Sequence, residues 1–218
     1  MEMTCSALRS PIGNMLLVTD RQGCIRALEF EEHRSRLHRK LREHYGTHVL
    51  RDGEAPQAVA RALERYFDGD LAAIDSVAVA AAGTEREQAA WAALRRIPAG
   101  KTIAYGALGR SVGIGDWRAA VEMGALVGAN PVAIIVPCHR VISANGDLKG
   151  YAWGLHRKRW LLEHEKALAP KLVAPRNRRL AGVLIAEPYA GIRPQDPECL
   201  RPNSASNWHP AINRRNRP

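Results

Sequence analysis

No run in this chain approaches the roughly 18 consecutive apolar residues that a membrane-spanning helix needs. The opening Met1-Glu2-Met3-Thr4-Cys5 also lacks the basic segment and apolar stretch of an export signal. Cysteine is scarce: the four, at positions 5, 24, 138 and 199, show no paired spacing, which excludes a disulfide framework and points to a reducing compartment. No histidine pair stands in register with Cys5 and Cys24, so a tetrahedral zinc site is not expected there. No internal repeat is visible. Acidic residues are in deficit, 22 against 32 Lys and Arg, giving a formal charge of +10 and a pI near 9.9. That balance favours a polyanionic partner such as nucleic acid. A soluble intracellular protein is expected, with no membrane partner.

Against these absences, the 218 residues are enough for one large or two small cores. Met15 to Thr19 and Ile25 to Phe30 read as strands joined by the turn Asp20-Arg21-Gln22-Gly23. Residues 33 to 45 read as an exposed helix, and Ala58, Leu63 and Phe67 give the next helix a buried stripe, with a short strand following near Ile74 to Ala80. Thr84-Glu85-Arg86-Glu87 fits a capping box that opens a helix burying Ala90, Trp91, Leu94 and Ile97. A brief strand at residues 102 to 104 then precedes two short helices across Gly113-Ile114-Gly115-Asp116, a helix-turn-helix pattern. From Leu168 onward, eight prolines and clustered arginines mark a basic tail that cannot build a core of its own.

The densest chemistry lies in Pro137-Cys138-His139-Arg140-Val141, entered from the apolar run Val132 to Val136. The run reads as a buried strand that stops at proline and delivers Cys138 to the rim of the core. An adjacent imidazole and guanidinium are surroundings that lower a thiol pKa toward the nucleophilic thiolate. On an extended segment neighbouring side chains point opposite ways, so a water bridging Cys138 and His139 is expected rather than a direct hydrogen bond.

With its flanks, the pentapeptide resembles the O6-alkylguanine-DNA alkyltransferase family. The resemblance rests on residues 97 to 102 (Ile-Pro-Ala-Gly-Lys-Thr), Ala104-Tyr105-Gly106, Asn130-Pro131, Pro137 to Val141, Gly146-Asp147-Leu148, Gly150-Tyr151, Gly154, Lys158, Leu161-Leu162 and Glu165. It implies an α+β fold. A small N-terminal α/β domain at 1–82, ribonuclease H-like with a three-stranded sheet and helices, precedes a helical, winged-helix-like DNA-binding domain at 83–167 and the tail at 168–218. It also implies DNA repair: irreversible transfer of an alkyl group from O6 of guanine, or O4 of thymine, to Cys138 after base flipping. Each copy acts once, as a monomer without metal or organic cofactor, on the minor groove of double-stranded DNA in the cytoplasm or nucleoid.

The roles implied by resemblance are Cys138 as acceptor, His139 as base, Glu165 as its orienting carboxylate, Tyr105 as donor to the flipped base and Asn130 as the tie between the recognition helix and the cysteine region. Tyr151, Val141, Lys158 and Trp153 would form the base pocket; Arg118, Trp117, Arg140, Ala125 and Gly124 would meet DNA. One departure stands out, because aligning back from Asn130-Pro131 puts Val121 where the family carries an arginine finger. Arg118, one helical turn earlier, is expected to replace it, with Trp117 as a wedge. Two competing functions are a noncatalytic lesion binder, disfavoured by the presence of Cys138, and a Cys-His-Glu hydrolase.

Overall fold

In a computed structural model, which describes residues 1–115 and 119–169, the central strand is uninterrupted in its burial. Strand β2 (Met15–Asp20) is buried at all six positions, which explains why Met-Leu-Leu-Val lacks the alternation of a half-exposed strand. It pairs antiparallel with β1 (Glu2–Leu8) and β3 (Ile25–Phe30), and the turn between β2 and β3 is fixed by Asp20, whose Oδ1 accepts from the Gln22 and Cys24 amides at 2.9 Å. The sheet has four strands rather than the expected three. Strand β4 (Val49–Asp52) joins parallel to β1, giving the order β3-β2-β1-β4; its four residues, mostly exposed, were too few to carry a periodic signal.

Helix α1 (Arg34–Tyr45) covers one sheet face, where Leu37 and Leu41 pack on Met3, Cys5, Leu16, Val18 and Ala27. The opposite face belongs to a larger core that takes Val59, Leu63 and Tyr66 from α2 (Gln57–Phe67) and Trp91 and Leu94 from α3 (Glu85–Arg95). The same core includes Val132 to Val136, Trp153 and Leu161, so packing runs without a break across residue 82. The capping box forms as expected: the Glu87 amide donates to Thr84 Oγ1 at 3.3 Å, and the Thr84 amide to Glu87 Oε2 at 2.8 Å. The expected strand near Ile74 to Ala80 is a series of turns with one bridge, Val79 to Ile25.

Helices α4 (Tyr105–Ser111) and α5 (Ala119–Gly128) form the expected helical pair. They meet at Gly109, where a Cβ would sit 3.1 Å from both Cβ and O of Ala119, so a side chain there would force them apart. Strands β5 (Ile103–Ala104) and β6 (Val141–Ile142) pair in parallel, and α6 (Leu155–His164) closes the described chain. Trp117, Arg118 and the tail beyond Ala169 lie outside the described residues.

The apolar run before the cysteine is not a strand. Val132 makes a single bridge to Leu28, and the chain then turns tightly, with the Ile135 amide on the Ala133 carbonyl at 2.6 Å and Ile134 at φ 66°. Asn130 holds the turn from within: its Nδ2 donates to the Val136 carbonyl at 2.8 Å and its Oδ1 accepts from the Val132 amide at 2.9 Å. Hydrophobicity marked the segment as buried, but side-chain hydrogen bonding chose its shape.

Candidate active site

From that turn the chain enters a short 3-10 helix, Cys138–Arg140, rather than an extended segment. Cys138 lines a cavity of about 550 Å³ together with Tyr105, Val121, Gly124, Gly150 and Tyr151. His139 turns the other way, into the protein. Its Nε2 lies 2.9 Å from Glu165 Oε1, with both side chains fully buried. Glu165 caps α6 and is held from three more directions. Arg140 donates through Nε to Oε2 at 2.9 Å and through Nη2 to Oε1 at 2.8 Å, and Tyr66 Oη donates to Oε1 at 2.7 Å. Gly100, at φ +76°, lets the preceding loop pass close to this end of α6, since a Cβ there would sit 3.0 Å from the Glu165 carbonyl.

These contacts set the charges. Burial opposes ionisation of Glu165, but hydrogen bonds from His139 and Arg140 and the Arg140 charge outweigh it and hold the carboxyl well below the usual range. Burial lowers the His139 pKa, which the Glu165 contact only partly offsets, so the imidazole rests neutral near pH 7. With Nε2–H donating to Glu165, Nδ1 carries a free lone pair, and it is buried without a partner among the described residues. The Cys138 thiol is not the low-pKa group its neighbours suggested: burial pushes it up to about 11, against smaller opposing effects of Asn130 and Lys158. The resting sulfur is therefore protonated and needs a base.

Lys158 is buried, its Nζ donating to the Val141 carbonyl at 2.6 Å and the Lys149 carbonyl at 3.4 Å and lying 5.9 Å from the centre of the Tyr105 ring. Burial brings its ammonium down to about 8. Burial also raises the Tyr105 hydroxyl, reinforced by the neighbouring Cys138, so it stays protonated as a hydrogen-bond donor.

Residues 3–81 match the model of the 6-O-methylguanine DNA methyltransferase ribonuclease-like domain, and residues 85–167 that of the 6-O-methylguanine DNA methyltransferase DNA binding domain. The chain belongs to the 6-O-methylguanine DNA methyltransferase family. It is 42% identical over 160 residues to a methylated-DNA–protein-cysteine methyltransferase of Salmonella typhimurium, covering 72% of this chain and 92% of the relative. A relative of the same name from Methanosarcina acetivorans is 38% identical over 163 residues, 75% of this chain and 98% of its own. Among solved structures, Mycobacterium tuberculosis OGT in complex with DNA matches with a TM-score of 0.63 and 36% identity, covering 75% of this chain and 92% of that one.

Within this family member, several expected site residues fall elsewhere. Arg140, assigned to DNA, is 2% exposed and commits its guanidinium to Glu165 and the Ile97 carbonyl; an arginine this deep cannot reach a phosphate. Trp153 is no part of the cavity wall. It is fully buried behind Tyr151, with ring centres 5.1 Å apart, and its indole N–H donates to Glu29. Arg36 completes that arrangement, donating from Nε and Nη2 to Glu29 at 2.8 Å and from Nη1 to the Ala152 carbonyl at 3.0 Å. Val141 is buried in β6, where its carbonyl rather than its side chain contributes, by holding Lys158. Asn130 acts on the turn before Cys138, through the Val136 carbonyl and the Val132 amide, and does not line the cavity. Gly124 lines the cavity; Ala125, beside it on α5, is exposed and does not.

Two contributors went unforeseen, and both come from the N-terminal half, which showed no catalytic pattern. Tyr66 was hidden as one more large residue in an amphipathic helix. The signal was there in its spacing from Val59 and Leu63, which put a hydroxyl on a buried face where it needs a partner. The Glu29 and Arg36 pair carried no comparable local signal.

Proposed function

We propose that this chain repairs alkylated DNA by taking the alkyl group from O6 of guanine onto its own Cys138. The observation that carries the reading is a buried, neutral His139, backed by an ionised Glu165, next in sequence to a thiol facing a cavity of base-sized reach. His139 Nδ1 takes the thiol proton through a bridging water, and Glu165 stabilises the imidazolium. The sulfur forms a bond to the alkyl carbon as the bond to O6 breaks. The departing purine gains a hydrogen bond from Tyr105 at N3 and retains a proton supplied from solvent or the imidazolium. A thioether offers water no good leaving group, so each copy acts once.

The target carbon is out of reach inside a duplex, so the nucleotide is extruded into the cavity, approached from the minor groove by a monomer. O4-alkylthymine fits the same displacement chemistry. A reactive thiol suits the reducing cytoplasm. Incubation with a duplex containing O6-methylguanine, followed by intact-protein mass measurement and peptide mapping, tests the proposal: one methyl on Cys138 is expected. An unmodified protein after full exposure would sink it.

A further inference from the structure

Two separate segments line the cavity beside Cys138, the loop through Gly150, Tyr151 and Ala152 and the helix α5, and both are held from one face of α1. Arg36 donates from Nη1 to the Ala152 carbonyl at 3.0 Å. One turn further along α1, the half-buried Lys40 donates from Nζ to the Ala129 carbonyl and reaches the Asn130 carbonyl at 3.5 Å, just past the end of α5. Neither carbonyl has another partner among the described residues. A lysine in this position satisfies carbonyls that the helix leaves unpaired and meets the negative end of its dipole. Lys40 is also the only side chain of residues 1–82 that hydrogen-bonds to α5 or to the two residues after it, among the described residues. The helix is otherwise lightly gripped on its cavity side, since an added Cβ at Gly124 or Gly128 would meet nothing within 4 Å.

We propose that Lys40 is a positioning residue which, together with Arg36, sets the spacing between the two cavity-lining segments and so limits the size of the alkyl group accepted at Cys138. This deepens the reading above and rests on the cavity receiving an extruded alkylguanine. Lys40 touches neither Cys138 nor His139 nor Glu165, so its loss leaves the reacting groups in place and frees only the end of α5 to shift against the loop. A methyl group fills little space, and its carbon meets the sulfur only where the lining holds the base closely; a displacement of about 1 Å can cost on the order of 100-fold in rate. A butyl group needs room and supplies apolar contacts of its own, so a looser spacing penalises it less. The size preference is therefore written partly in the N-terminal region, on a helix that lines no part of the cavity.

The test uses the full chain and compares single-turnover transfer to Cys138 from two duplexes of one sequence, carrying O6-methylguanine or O6-butylguanine. Lys40→Met, which keeps the length of the side chain and removes its donors, is expected to lower the methyl-to-butyl rate ratio about tenfold at a temperature where circular dichroism shows it folded. Lys40→Arg, which retains a cationic donor, should hold the ratio within about threefold of the parent. Should Lys40→Met fail to fold, Lys40→Gln carries the same comparison. A loss of stability alone would slow both substrates equally, so an unchanged ratio overturns the role of Lys40 while leaving the transfer reading intact. If the parent takes an alkyl group from neither duplex, the transfer reading fails and the size limit with it.

Discussion

At the scale of single residues, the proposed mechanism rests on a protonated sulfur and a separate base that must activate it. With the Cys138 thiol at about 11, reaction of the free protein with iodoacetamide should be slow at neutral pH and rise about tenfold per pH unit until near that value, followed by peptide mass analysis. Repair should behave differently. On the proposed reading the base is neutral His139, whose pKa is lowered, so the transfer rate should stay level across neutrality and fall only at a pH below the ordinary histidine value of 6.5. Glu165 links this chemistry to stability. Its folded pKa lies below the ordinary 4.5, so the stability it contributes is present above that value and drains away as pH falls through the depressed one. Glu165→Gln should remove that acid dependence. It should also destabilise the fold by about 3–5 kcal/mol in denaturant titrations, because Arg140 is left buried and unpaired. Cys138, His139 and Glu165 were legible as a set from sequence, but the sign of the thiol's shift was not. Neighbouring charges can be read along a chain, whereas desolvation depends on how much protein folds over the sulfur.

At the scale of elements, position is decided by polar groups that tie one segment to another. Asn130→Ala would leave the Val132 amide without a partner, at about 1–3 kcal/mol for that buried group, and would remove one of the two donors to the Val136 carbonyl, which keeps the Cys138 amide at 2.8 Å. Loss of transfer at a temperature where the variant is still folded, by circular dichroism, is the expected accompaniment. Trp153→Phe keeps a ring behind Tyr151 but removes the donor to Glu29, and should cost about 1–3 kcal/mol in thermal or chemical unfolding. Helices with a strong local signature were read correctly: the one capped by Thr84 and the two around Gly113 to Gly115. The segment 132 to 136 and the strand Val49–Asp52 were misread or missed. A continuous apolar run specifies burial without choosing between strand and turn, and a four-residue edge strand has no periodicity to find.

At the scale of the whole molecule, the two family-matched regions share one core, and the N-terminal half reaches the active site through Tyr66, Glu29 and Arg36. Charge is distributed less evenly. Residues 170 to 218 hold nine Lys and Arg against three Asp and Glu, six of the formal net +10. Ending the chain at Ala169 should flatten the slope of log affinity for DNA against log salt, by about 0.9 for each phosphate the tail had neutralised, while an identical slope would place the tail away from DNA. The sequence by itself determined the family, the β2–β3 hairpin, the helix opened by Thr84, the helical pair and the candidate nucleophile, since these are written in local spacing and in a motif whose residue types the chemistry demands. Only tertiary structure decided that Arg140 braces a carboxylate instead of touching DNA, that Trp153 packs behind Tyr151, and that a tyrosine from another region reaches the same carboxylate. Those outcomes depend on which distant groups converge and how completely water is excluded around them, and no short stretch of chain encodes either.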